Sequence, residues 1–122
     1  MDAVEVKPSI NPASVGGTVI LSLSPSVTLT GGSWAVEESL ILTWLGDQQA
    51  VFSGYSGRAS VNITTGALTL SSLTVADSGV YWVQSSDPQL TVNTSVTVVG
   101  ENNQMMFETY IFMAYDGSFI TV

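Results

Sequence analysis

Apolar side chains recur at every second residue in short runs along the first hundred residues, and a period of two confines this part of the chain to β-structure. Thr18 to Ser24 carries Val19, Leu21 and Leu23 on one side, and Leu40 to Leu45 carries Leu40, Leu42 and Trp44. Further runs fall at Ala3 to Ile10, Gln49 to Phe52, Ala59 to Ile63, Ala67 to Leu70, Gly79 to Ser85 and Leu90 to Val99, separated by Gly, Pro, Asp and Asn. A strand with one apolar side needs a second layer to cover it, so the pattern predicts an all-β, two-sheet sandwich. Ala59, Val61 and Ile63 are expected to point inward beside Leu68, Leu70 and Leu73, with Tyr81, Val83, Val96 and Val98 on the opposite sheet. Trp34 and the acidic doublet Glu37-Glu38 are read as part of a long loop between the second and third of these strands.

The 122 residues suit one domain with a real core. The polar break Glu101-Asn102-Asn103-Gln104 separates residues 1–99 from a tail, 100–122, of different character. Asp116-Gly117, flanked by apolar and aromatic residues, predicts a hairpin there, a β-ribbon whose exposed edge would be sticky.

Lys and Arg total 2 against 10 Asp and Glu, a net charge of −8, which argues against nucleic acid and against direct contact with an anionic membrane. The chain has no His and no Cys, and so lacks the commonest general base, the usual zinc ligands and a thiol nucleophile. No enzyme activity, cofactor or metal is expected. Glu37-Glu38 reads as a solvated charge pair rather than a calcium site.

Absence of Cys points to a reducing compartment, whereas the sequons Asn62-Ile63-Thr64 and Asn93-Thr94-Ser95 point to the secretory pathway. The start, Met1-Asp2-Ala3-Val4-Glu5, is acidic and has no apolar stretch, so no signal peptide is expected in it. The apolar runs fall short of the roughly 20 residues that span a bilayer, which places any anchor outside this piece.

Asp77-Ser78-Gly79-Val80-Tyr81 has the form D-x-G-x-Y, follows the run Leu68-Thr69-Leu70-Ser71-Ser72-Leu73, and lies downstream of Arg58. This resembles the signature of immunoglobulin variable-type (V-set) domains. The resemblance implies that Tyr81 makes a tyrosine corner, that Arg58 and Asp77 pair, and that Trp44 is the core tryptophan. It also places Leu23 and Val83 where the two disulfide cysteines would stand. Losing such a bridge costs about 2–5 kcal/mol, which two buried aliphatic side chains at about 1.5–3 kcal/mol each can offset.

A V-set domain without this bridge is similar to the N-terminal domain of the carcinoembryonic-antigen-related cell-adhesion (CEACAM) family, its fish members included. Ser22-Leu23-Ser24-Pro25, Leu42-Thr43-Trp44-Leu45-Gly46, Ser56-Gly57-Arg58 and Gln84 agree with that family over roughly Val4 to Val99. The resemblance implies an extracellular, cell-surface adhesion domain that binds a copy of itself or a related receptor. Parity puts Thr43, Leu45, Trp82, Gln84 and Ser86 on the outer face of one sheet, with Val51 and Phe52 on the neighbouring strand, as the protein-binding face. The competing reading packs Leu45 and Trp82 beneath a loop or the C-terminal hairpin. Glycan at Asn62 would cover the opposite sheet, whereas parity sends Asn93 to the binding face unless a bulge reverses it. The alternative function is a fibre-forming module in which the tail of one chain adds to a sheet edge of the next, giving a homo-oligomer or polymer.

Overall fold

The computed structural model describes residues 3–86 and 88–100, together with the backbone of 112–114 and 119–121. Strands β1 (Glu5–Pro8), β2 (Ala13–Ser14), β3 (Val19–Ser24), β4 (Gly31–Val36), β5 (Ser39–Leu45), β6 (Gln48–Val51), β7 (Ala59–Val61), β8 (Leu68–Leu70), β9 (Gly79–Ser86), β10 (Gln89–Val96) and β11 (Val98–Val99) follow in order. They build two antiparallel sheets, one in the order β1-β3-β8-β7 and the other β10-β9-β4-β5-β6. A short parallel pair, β2 with β11, joins Ala13 to Val98 and Ser14 to Val99.

The core lies between the sheets and follows the expected alternation. Val19, Leu21, Leu23, Val61, Leu68, Leu70 and Leu73 are buried, as are Tyr81, Val83, Val96 and Val98. Register explains the match, because Val19 pairs with Leu70 and Leu21 with Leu68, so neighbouring strands present apolar residues on the same side.

The third of the expected strands departs from simple alternation. β4 pairs with β5 through Trp34–Leu42 and Ala35–Leu40, and the register shift between Trp34 and Ala35 leaves Ile41 as an extra residue. A bulge of this kind reverses parity beyond it. Ile41 and Leu42 are therefore both buried, while Leu40, expected inside, is 37% exposed.

The stretch read as a long loop is strand β4, which lies between β9 and β5. Glu37 and Glu38 form the two-residue turn of the β4–β5 hairpin, since Val36 pairs with Ser39. Trp34 on this strand is fully buried opposite Val83, so it takes the core position expected of Trp44. Its Nε1 donates to the carbonyl of Gly66 at 2.8 Å. Trp44 is also buried, but on β5, opposite Gly32. A methyl group at Gly32 would lie 2.8 Å from Trp44 Cη2, so the missing side chain there makes room for the second indole.

In the tail, strands β12 (Phe112–Ala114) and β13 (Phe119–Thr121) pair antiparallel as a sheet of their own. They flank the expected Asp116-Gly117 turn, which lies outside the described residues.

Candidate protein-binding face

Three rows of side chains cross the outer face of the five-stranded sheet, because residues paired across antiparallel strands share a side. Asn93, Trp82, Ala35 and Leu40 form the first row. Thr91, Gln84, Ser33, Thr43 and Ala50 form the second. Leu45 and Gln48 form the third with Gly31, and Ser86 faces Gln89 at the same end of β9 and β10.

Leu45 is 73% exposed and Trp82 38%, so neither is packed away among the described residues. Gln84 and Ser86 are exposed and Thr43 is half-buried. Val51 is not on this face. It pairs with Leu42, an inward residue, and packs against the core, because strand parity gives the outer position to Ala50. Phe52 lies just past β6 and is exposed, its amide donating to Ile41 O at 2.9 Å.

The sequence reading missed Ser33 and Ala35 in the centre of the face and Leu40 at its edge. The first two were hidden by treating β4 as a loop, and the third by the bulge at Ile41. A regular β9–β10 register from Gln89–Ser86 to Val96–Gly79 contains no bulge to turn Asn93 away, so Asn93 stands beside Trp82. Asn62 is exposed just past β7 on the other sheet, where its Oδ1 accepts from the amides of Thr64 and Thr65 at 2.9 and 3.1 Å.

The family-type structural residues gather at one end of the core. The two terminal nitrogens of Arg58 donate to the Asp77 carboxylate, at 2.9 and 3.0 Å. The Tyr81 hydroxyl donates to the carbonyl of Asp77. Asp77 Oδ2 also accepts from the amide of Thr74 at 2.8 Å, closing the short turn Val75–Asp77. Burial works to raise the Asp77 pKa, but the hydrogen bonds from Arg58 and Thr74 outweigh it and hold the carboxyl below its ordinary value. Burial, then the Asp77 charge, pushes the Tyr81 phenol well above its own. Both groups are thereby fixed in the forms that hold the fold. Leu23 and Val83 are both members of the apolar core.

No family model and no curated protein matches the chain. Solved structures do. The CD2-binding domain of CD58 (lymphocyte function-associated antigen 3) is 24% identical with a TM-score of 0.66, over 72% of this chain and 52% of that one. Murine CEACAM1b is 17% identical with a TM-score of 0.62, over 81% of this chain and 54% of that one. The human B7-H4 IgV-like domain is 17% identical with a TM-score of 0.53, over 80% of this chain and 96% of that one. The chain thus spans about half the length of the first two. Two packed sheets, the tyrosine corner and these likenesses together show the immunoglobulin variable-type fold, built here without a single cysteine.

Proposed function

We propose that the chain is a cell-surface recognition domain of the CEACAM kind, binding another protein through the outer face of the β10-β9-β4-β5-β6 sheet. The observation that carries this reading is the set of three rows, which hold Trp82, Leu40 and Leu45 among amides, hydroxyls and alanines with no charged side chain. Such a face loses little solvation when covered, and an exposed indole is the side chain most often central to interface energy. The outer side of β1-β3-β8-β7 instead carries Glu5 and Lys7, with Ile20 as the exposed large apolar residue among those strands. Likeness to the CD2-binding domain of CD58 supports the same reading.

A streptavidin tetramer of the biotinylated chain, used to stain a panel of cells, tests it. Leu45→Asp and Trp82→Ala should each lower staining at least about tenfold, the loss expected of central interface residues. Ile20→Asp on the opposite sheet should leave it unchanged. Equal loss in all three, or none in the first two, rejects this face. Sugar at Asn93 would stand over the Trp82 end, so Asn93→Gln should stain at least as strongly as the parent.

The separate β12–β13 pair favours one second reading, in which the ribbon joins copies edge to edge. That reading requires association to vanish when the chain ends at Val99, and to survive Leu45→Asp.

A further inference from the structure

Where β4 turns into β5, the side chains of Ala35, Glu37, Glu38, Leu40, Trp82 and Gln84 enclose an open hollow of about 390 Å³. Apolar walls come from Trp82 and Leu40, and two carboxylates stand beside them on the hairpin turn. That turn is fastened. Glu37 has a left-handed backbone, φ 52°, uncommon for a residue with a side chain. It is held there by two bonds to β9: its amide donates to Val80 O at 2.8 Å, and its Oε2 accepts from Val80 N at 2.8 Å. Glu38 is exposed at the next position. Its carboxylate is therefore carried by a preset turn and needs no ordering of the backbone to receive a partner.

An indole face next to a carboxylate suits a guanidinium, which stacks on the ring and pairs with the acid at once. We infer that this hollow receives an arginine side chain presented by a different protein, so that the face recognises a basic partner rather than a second copy of this chain. The inference rests on the reading of the outer face as a protein-binding surface and names the chemistry of its partner.

The charge inventory decides against a second copy. Lys7 and Arg58 are the chain's 2 basic residues. Arg58 is engaged by Asp77 through its two terminal nitrogens. Lys7 lies on β1 in the other sheet, paired with Ser22. If two outer faces met, the rows of neither copy would offer a cation to the Glu37 and Glu38 carboxylates of the other. A contact from Lys7 into the hollow of the next molecule would be head-to-tail and would not close as a symmetric dimer. At long range the net charge of −8 repels a copy and speeds encounter with a basic surface.

The test titrates the ¹⁵N-labelled full chain with acetyl-arginine amide and, separately, with acetyl-citrulline amide, which keeps the shape and lacks the charge. Arginine should move the Trp82 indole N–H and the amides of Ala35 and Leu40 along a saturating curve, with citrulline at least about fivefold weaker. Glu38→Gln should weaken the arginine response about threefold or more, and Asp47→Asn, on the β5–β6 turn, should not. An equal response to the two probes overturns the inference, as does a response spread evenly over Glu5 and Asp47. Shifts at Trp82 that track protein concentration alone and disappear in Lys7→Gln would give the hollow to a second copy and overturn it too. Failure here leaves the face itself intact, because the contrast between Leu45→Asp and Ile20→Asp in cell staining decides that separately.

Discussion

Asp77 is only 6% exposed and yet ionised, and it stays so because donors gather on its carboxylate: two nitrogens of Arg58, and the amide and hydroxyl of Thr74. Arg58 itself is 23% exposed, which puts the pair between a surface bridge and a buried one. Arg58→Met keeps the aliphatic stem and removes the charge, leaving the carboxylate buried without its partner. The expected loss is about 2–4 kcal/mol at neutral pH, read from denaturant unfolding. The folded pKa of Asp77 is held below that of a free aspartate, so its contribution is complete above the free value and is lost as pH falls through the lower, folded one. The stability gap between parent and Arg58→Met should therefore be widest at neutral pH and narrow as pH falls, because the unpartnered, buried carboxyl of the variant takes up its proton first. A gap unchanged between about pH 7 and about pH 3 would show that the pair does not titrate with the fold. These residues were legible in the sequence because the D-x-G-x-Y pattern ties local turn chemistry to a long-range partner.

Strand β4 shows where legibility ended. Gly31-Gly32-Ser33 has the composition of a loop, and two glycines in a row weaken any strand reading. The glycines are there for tertiary reasons: a side chain at Gly31 would press on the Trp44 carbonyl, and one at Gly32 on the Gln84 carbonyl and the Trp44 ring. Neither contact leaves a mark in a one-dimensional pattern. The error propagated, since removing β4 from the sheet made Trp44 the natural choice for the core tryptophan and hid Ser33 and Ala35 from the face. Parity on β5 failed for a different cause, a single extra residue at Ile41, which reversed Leu40; on β6, Val51 is inward because it pairs with Leu42. Alternation was reliable in β3, β8 and β9, where register is unbroken. The two tryptophans now differ in a measurable way. Trp34 Nε1 is bonded to Gly66 O, whereas Trp44 Nε1 is buried with no partner among the described residues. Trp34→Phe removes packing and a made hydrogen bond, but Trp44→Phe removes packing and an unmade one. Trp34→Phe should therefore be the more destabilising by at least about 1 kcal/mol in urea unfolding. Equal losses would mean that the Gly66 bond contributes nothing net.

At the scale of the whole molecule, the described pairings of the sandwich all fall within residues 1–99. Among the described residues its buried apolar side chains run from Val6 to Val98, and its last pairing joins Val98 and Val99 to Ala13 and Ser14. The Val15 amide completes this seam on the Val99 carbonyl at 3.0 Å. Every one of these interactions is retained in a chain that ends at Val99, so the division between residues 1–99 and 100–122 becomes a statement about cooperativity. If the first part folds alone, removing the second costs the sandwich no core area and no hydrogen bond of its own sheets, and the change belongs to the class of surface alterations worth within about 0.5 kcal/mol. For a domain of this size that corresponds to a shift in Tm of no more than about 3 °C. Scanning calorimetry on the two lengths at equal molar concentration measures it. A fall well beyond that margin would make the tail part of the folding unit and would end the two-part description. A Tm that rises with protein concentration only in the full-length chain would assign the tail to assembly, because only association couples stability to concentration.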